Sequence, residues 1–298
     1  MEKGWVAYEC DYLQSASMTL EYAYEDSCVA VVAEAAGRGD RAAFYRARSG
    51  NWKNVFDPSV GMARPRWRDG SWLSPFDPTA LAGFTEANSW QYTWSVQHDV
   101  CGLVAAMGGR EAFARKLDEF FDGRHFTADN EPDFHVPWLY GYVGLPSRAQ
   151  TRVAEVRRDR FGDRPDGLPG NDDAGATSAW YAFAAMGFYP VAPGEEWYWL
   201  NAPAFDRVTI HLEPDRAGGR AFVIEAPGAS AGKVFARGVT LDGEALTEAR
   251  IPPPAGGRAA VRDGGRARRR VGAADLPVIT GERSLRCRSR ARGGRPTS

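Results

Sequence analysis

Apolar side chains return at helical spacing along residues 16–35, ASMTLEYAYEDSCVAVVAEA, and that pattern recurs in segment after segment until Pro190, where it stops. A period near 3.6 is the footprint of a helix with a buried face, and a strand does not satisfy it. Gly37 and Gly39 read as stops, after which DRAAFYRARS (40–49) continues as a second helix. Helical patterning returns at 89–107, 110–122, 132–143, 147–160 and 174–187. Beyond Pro190, WYWLNAP, DRVTIHLEP, AFVIEAP and KVFARGVTLDG are short, β-branched or aromatic, and bounded by Pro, Gly or Asp. These read as antiparallel strands, with LDGE at 241–244 as a hairpin turn. The expected fold is therefore mainly α: paired helices in a toroid-like arrangement over 1–190, followed by a small antiparallel β region over 191–251.

The segment 252–298 fits neither pattern. It is rich in Arg, Gly, Ala and Pro, and from Arg258 onward it holds twelve Arg against three acidic residues. The remaining chain then carries 25 Lys and Arg against 35 Asp and Glu, so the overall net charge of −1 averages two unlike parts. The tail lacks the aromatic side chains on which single-stranded nucleic acid stacks, so no nucleic-acid partner is expected. A disordered tail, or an out-of-frame translation of GC-rich DNA, accounts for this composition.

Four cysteines, Cys10, Cys28, Cys101 and Cys287, lie far apart with no C-x-x-C spacing, which argues against a zinc site or a disulfide framework. The first residues, MEKGWVAYECDYL, carry neither the charged nor the apolar region of a signal peptide. No apolar run approaches the roughly 20 residues of a spanning helix, so no membrane partner is expected. The localisation of the chain stays open on this reading.

Chemistry concentrates in three acidic clusters, each in a polar loop that opens a helix. GFTEANSWQYTW (83–94) holds Glu86 with Asn88, Trp90 and Tyr92 nearby. ADNEPDFHVPWLYGY (128–142) holds Asn130, Glu131, Asp133 and His135. GLPGNDDAGATSAWYAF (167–183) holds Asn171, Asp172 and Asp173. Acidic residues are favoured at helix N-termini because they accept backbone N–H bonds, so each cluster taken alone reads as a cap. Three together, in aromatic settings, point to a carboxylate-lined pocket at one mouth of the helical array. Two carboxyl groups flanking a glycosidic bond divide the work of hydrolysis between acid and base. Glu86, beside Trp90 and Tyr92, suits the acid whose proton is retained by apolar surroundings, and Asp173 in its polar turn suits the ionised base. Trp90 offers a flat face of the kind that packs on sugar rings. The other oxygen ligands suit Ca²⁺, which would have to be held by distant segments because no EF-hand loop is present.

The segments TLEYAYEDSCVA, RSGNWKNVFDPSVGMARPR, FTEANSWQYTWSVQHDVCGL, NEPDFHVPWLY, PDGLPGNDDAGATSAWYAFAAMGFYPV and LNAPAFDRVTIHL, in that order, resemble glycoside hydrolase family 92, the calcium-dependent exo-acting α-mannosidases. The resemblance covers most of residues 15–250. It implies an (α/α)6 toroid, of which this chain holds part, and an inverting mechanism with carboxyl groups roughly 6.5–9.5 Å apart. By the same resemblance Glu86 is the general acid and Asp173 the general base. Asn130 and Glu131 contact mannose hydroxyls or the ion, and Asn171 and Asp172 hold water, sugar or metal, so that Glu131 and Asn171 are the candidate Ca²⁺ ligands. The implied substrate is a mannose-containing oligosaccharide or N-glycan, with Ca²⁺ on mannose O2 and O3. The other reading of the same residues is a toroid that binds carbohydrate or a partner without catalysis.

The chain departs from the family pattern in two motifs. Gly175, Ala176, Thr177, Ser178, Ala179 and Trp180 stand where the family reads G-Q-M-S-A-W. Ala128, Asp129, Asn130, Glu131, Pro132, Asp133, Phe134 and His135 stand where it reads H-G-N-E-P-S-H-H. Neither change removes the proposed acid or base. The resemblance also places Met1 inside the toroid, with an N-terminal β-sandwich domain expected to lie outside this sequence and to complete the site. The chain is then expected to be a fragment of a longer parent, secreted or periplasmic in kind.

Overall fold

Helix α1 spans Ser15–Ala35 and α2 spans Gly39–Arg48 in the computed structural model, which describes residues 3–9, 14–214, 221–232, 234–236, 238–252 and the backbone of 269–273. Ala16, Leu20, Ala23, Ala30 and Ala33 form the buried face of α1, and their small side chains let α2 pack closely against it. Gly37, at φ 72°, ends α1, and the Arg38 N–H reaches back to the Ala33 carbonyl at 2.8 Å. Arg48, the last residue of α2, donates to the buried Asp26 carboxylate of α1 at 2.9 Å, pinning the pair.

The long Pro- and Gly-rich stretch after α2 is ordered by its own polar side chains. Short strands β1 (Phe56–Asp57) and β2 (Met62–Ala63) pair antiparallel. Asp57, Asp69 and Asp77 each accept both the N–H and the hydroxyl of the Ser or Thr two residues on, closing three local turns. The Arg64 guanidinium meets buried Asp57 at 2.9 Å, and that of Arg66 lies 4.8 Å and 5.0 Å from the rings of Trp5 and Trp72.

The helix expected over 89–107 is interrupted. Helix α3 covers Ser89–Tyr92 only, and α4 begins at Val100 and ends at Ala106. A 3₁₀ turn, Gln97–Asp99, lies between them; Asp99 leaves helical backbone at φ −141° and its carboxylate accepts the Gly102 N–H at 3.0 Å, so it starts a new helix instead of continuing an old one. Helix α5 (Arg110–Asp122) matches its expected bounds. The span 132–143 also differs: α6 is Glu131–Phe134, and Val136–Val143 is 3₁₀. Pro137 has no N–H to donate to the turn before it, which stops an α-helix from running through. Helices α7 (Pro146–Arg160) and α8 (Ala176–Met186) complete the helical part among the described residues.

The change of pattern at Pro190 is real. Strands β3 (Phe188–Tyr189), β4 (Tyr198–Leu200) and a late strand, Arg250–Ile251, form one antiparallel sheet in that order. A second sheet begins with β5 (Arg207–His211) and β6 (Ala221–Glu225), and holds a hairpin of β7 (Val239–Leu241) and β8 (Glu244–Ala245). With Arg250–Ile251 as β9, β10 (Arg269–Ala273) sits between β6 and β7, parallel to the first and antiparallel to the second. The hairpin turn is the one read from LDGE: Asp242 and Gly243 take φ of 53° and 90°, as a two-residue primed turn requires. Apart from residue 252 and β10, the Arg-rich tail lies outside the described residues.

One large core joins the helices, with Trp52, Trp94, Trp138 and Trp180 all buried in it. A smaller core of Phe188, Leu200, Phe222, Ile224 and Ile251 serves the sheets. The two regions interlock: Trp138 donates to Asn201 at 3.2 Å, and Trp199 stacks near Tyr142 at 4.2 Å. Gly141 permits that stack, because a Cβ there would lie 2.5 Å from the Trp199 ring. Cys101 is disulfide-bonded, which corrects the expectation drawn from cysteine spacing. Spacing along the chain detects local metal motifs, whereas a disulfide needs proximity in space. Among the described residues no helix is long and apolar enough to cross a membrane.

Candidate active site

In the first and third acidic loops the capping role goes to neighbours of the candidate catalytic residues, and in the second no side chain caps α6. Asn88 is the N-cap of α3: its side-chain oxygen accepts the Trp90 N–H at 3.0 Å, and its own N–H donates to Gln91 Oε1 at 3.1 Å. In the third loop, Asp172 Oδ1 accepts the Ser178 N–H at 2.9 Å and so caps α8. Glu86 and Asp173 are therefore not the capping groups of the helices that follow them.

Both residues adopt left-handed backbone, with φ of 52° at Glu86 and 50° at Asp173. Among the described residues only five non-glycine residues do so, and three of them, Glu86, Asp173 and Ala174, are in these two loops. A side chain in this region costs on the order of 1–3 kcal/mol, and glycine would remove that cost. A carboxylate kept at both positions needs a return other than stability.

The loops converge. Asn130 Nδ2 lies 3.5 Å from the Glu86 carbonyl, linking the second cluster to the first. Gly170 approaches Asp129 so closely that a Cβ at 170 would stand 2.6 Å from the Asp129 Cβ, linking the third to the second. Trp180 of α8 donates to the Phe134 carbonyl at the end of α6 at 2.8 Å, which fixes the third loop against the second from below. Glu86, Glu131, Asn171 and Asp173 are exposed, Asn130 and Asp172 half-buried, as befits an open mouth.

Two expectations need correction. Glu86 does not sit in an apolar aromatic pocket: it is exposed, the Tyr92 ring stacks on Phe84, and the Trp90 ring is taken up by other side chains. The left-handed turn points residue 86 away from the core that receives Ala87 and Tyr92. Trp90 is not an open platform either. It stacks on the His125 imidazole at 4.2 Å with planes 5° apart, and the Lys116 ammonium lies 4.4 Å from its ring centre.

The sequence reading missed Glu21 of α1. Burial of its carboxyl group, then Glu25 and Glu131, raise its pKa, although the residue as a whole is exposed. Burial, followed by Glu131, also raises Tyr189, and burial followed by Glu21 pushes Tyr92 up to about 12. Glu21 and Tyr189 thus border the Glu131 side of the mouth. The available signal was weak: Glu21 is one of three acidic residues in TLEYAYEDSCVA, with Glu25 and Asp26, and only packing singles it out.

Beneath the mouth lie two buried groups of the second cluster. Burial pushes Asp133 up to about 8, against hydrogen bonds from Thr127 that pull it down. Burial depresses His135 to about 4, with its Nε2 2.8 Å from the Trp94 carbonyl. An unfolded chain protonates this histidine near 6.5, and the folded one resists until about 4. Its contribution to stability is therefore present above pH 6.5 and is lost as pH falls through that window. The loss is expected to be on the order of 2–3 kcal/mol. Asp133, whose raised pKa acts in the opposite sense over the same range, offsets this loss in the total, so urea unfolding of the parent and of His135→Gln at pH 7 and pH 4.5 is compared: the variant is expected to lose less stability, or gain more, at pH 4.5 than the parent, and an identical pH dependence refutes it.

Residues 1–270 match the profile of the glycosyl hydrolase family 92 catalytic domain. The chain belongs to this family. It is 33% identical over 234 residues to an uncharacterized secreted glycosidase of Arthroderma benhamiae, covering 68% of this chain and 30% of that protein. It is similar in structure to the family GH92 α-mannosidase BT3965 of Bacteroides thetaiotaomicron, with a TM-score of 0.80 and 32% identity over 90% of this chain and 35% of the other. The GH92 inverting mannosidase BT2199 of Bacteroides thetaiotaomicron VPI-5482 gives a TM-score of 0.78 and 31% identity, covering 92% and 39%. This family 92 chain therefore spans about a third of the length of the relatives it matches. The mainly α fold expected from the sequence holds, and the structures it resembles contain the expected helical toroid.

Ca²⁺ is the metal that family 92 implies. Glu131 and Asn171 offer the hard oxygen donors that Ca²⁺ takes, and the contact of Gly170 with Asp129 sets their loops side by side. Among the described residues, no three His, Cys, Asp or Glu side chains form a metal-holding group.

Proposed function

We propose that this chain carries the catalytic carboxylates of an inverting exo-α-mannosidase, with Glu86 as general acid and Asp173 as general base. The observation that carries this reading is the left-handed backbone at both residues, in loops brought together through Asn130 and Asp129. Such strain places each side chain out of its helix and over the mouth, where it is retained for chemistry. Glu86 protonates the departing glycosidic oxygen while Asp173 takes a proton from water attacking the opposite face of the sugar. Asn130, Glu131 and Glu21 line the side that holds sugar hydroxyls. Asp172 acts mainly as the cap that fixes the Asp173 turn. Trp90, held by His125 and Lys116, contributes through its edge and through the rigidity of the loop. Family membership supports glycoside hydrolysis, and a BT3965 structure in complex with mannoimidazole supports a mannose-type sugar at the site. Ca²⁺ bound by Glu131 and Asn171 would help to flatten the mannose ring by holding its vicinal hydroxyls. A mannose-ended oligosaccharide or N-glycan fits this site as substrate. The secreted relative supports a parent that works outside the cell.

The test is an assay of the longest polypeptide that the gene encodes, on an aryl α-mannoside and on mannobiose, with Ca²⁺ and with EDTA. Mannose release that stops with EDTA, returns with Ca²⁺ and first yields the β-anomer by NMR is expected. Absence of release, or first appearance of the α-anomer, refutes the reading.

A further inference from the structure

Asp133 is 0% exposed, lies one turn below the mouth, and has no part in the mechanism just given. A buried carboxyl is costly unless its hydrogen bonds return the loss, and here one oxygen, Oδ1, meets no hydrogen-bond geometry among the described residues. The other oxygen begins a continuous chain of bonds. Asp133 Oδ2 accepts the Thr127 N–H at 2.7 Å and the Thr127 hydroxyl at 3.2 Å. The same hydroxyl accepts from Gln91 Nε2 at 3.1 Å. Gln91 Oε1 in turn accepts the Asn88 N–H at 3.1 Å, closing the capping box of α3.

The chain therefore ends two residues from Glu86. Asn130, on the same segment as Thr127 and Asp133, reaches the Glu86 carbonyl from the other side. We propose that Asp133 is a positioning residue: acting through Thr127 and Gln91, it clamps the capping box of α3 and so holds the strained turn that aims Glu86 at the glycosidic oxygen. The proposal rests on the acid reading of Glu86. Its physical basis is directional: the Thr127 hydroxyl has one proton, and giving it to Asp133 leaves its lone pairs to Gln91 Nε2. The Gln91 amide is thereby fixed with Oε1 toward Asn88. Without the acceptor at 133 the hydroxyl is free to turn and the amide free to flip, which loosens the cap by the route least visible in the fold.

The experiment uses the longest polypeptide encoded by the gene and four variants. Thr127→Val keeps volume and leaves the Asp133–amide bond intact while removing the hydroxyl to which Gln91 Nε2 donates. Asp133→Ala removes the acceptor, Asp133→Asn restores one, and Glu86→Gln reports the acid itself. Hydrogen–deuterium exchange is followed in the peptide spanning 86–92, with 110–122 as control. Thr127→Val and Asp133→Ala are expected to speed exchange in 86–92 at least about threefold more than in the control, with Asp133→Asn close to the parent. Both are expected to lower kcat on mannobiose about tenfold while changing an activated aryl mannoside less than about twofold.

Unchanged exchange in 86–92 overturns the clamp whatever the activity does. Faster exchange with equal loss on both substrates overturns the positioning role, provided that Glu86→Gln shows the split between substrates. Absence of that split in Glu86→Gln brings down the acid assignment and, with it, the catalytic half of this proposal.

Discussion

Asp173→Asn is expected to lower kcat by about 10²–10⁴-fold on every α-mannoside, activated or not. The base is needed to deprotonate water whatever group leaves, so no choice of leaving group rescues its loss. Asn is nearly the same size, and like Asp it tolerates left-handed backbone, so the turn at φ 50° should persist. Asp172 still caps α8 through Ser178 in the variant, and Trp180 still ties α8 to Phe134, so folding should be little changed. Single-turnover kinetics with an aryl α-mannoside and a thermal melt check both halves together. A fall in activity matched by a fall in Tm would assign Asp173 a structural role instead.

Glu86→Gln is expected to behave differently. Protonation of the departing oxygen matters in proportion to how basic that oxygen is. Mannobiose hydrolysis should fall by about 10²–10⁴-fold, while a dinitrophenyl mannoside, which leaves without help, should change by less than about tenfold. A plot of log kcat against leaving-group pKa should therefore steepen in the variant. Equal losses on both substrates would remove Glu86 from the acid role. Its exposed position makes this test sharper, because substitution there disturbs little of the core.

Much of this site was legible in the sequence, and the parts that were not share a cause. The order of three acidic loops, the change of period at Pro190 and the Asp242–Gly243 turn are local properties, written in spacing and in turn chemistry. What remained hidden depends on where side chains end up. Asp99 breaks 89–107 because its carboxylate finds Gly102, and periodicity carries no record of that bond. Glu86 has Trp90 and Tyr92 close in sequence, but in space those rings belong to His125 and Phe84. Glu21 enters the site from a helix 65 positions before Glu86, with only long-range packing to announce it. Caps and the carboxylates proposed for acid and base, near neighbours in the first and third loops, were separated only by seeing which oxygen meets which N–H.

The five left-handed non-glycine residues have a practical reading for anyone wishing to make this protein more heat-resistant. A routine search would offer glycine at all five, since glycine there relieves on the order of 1–3 kcal/mol of backbone strain, less the roughly 0.5–1 kcal/mol of chain entropy it loses on folding. Arg124 and Asp242 lie outside the acidic loops and are the safe choices. At Glu86 and Asp173 the same substitution would remove the two carboxylates proposed for acid and base, so a screen for melting temperature alone would select against the proposed activity.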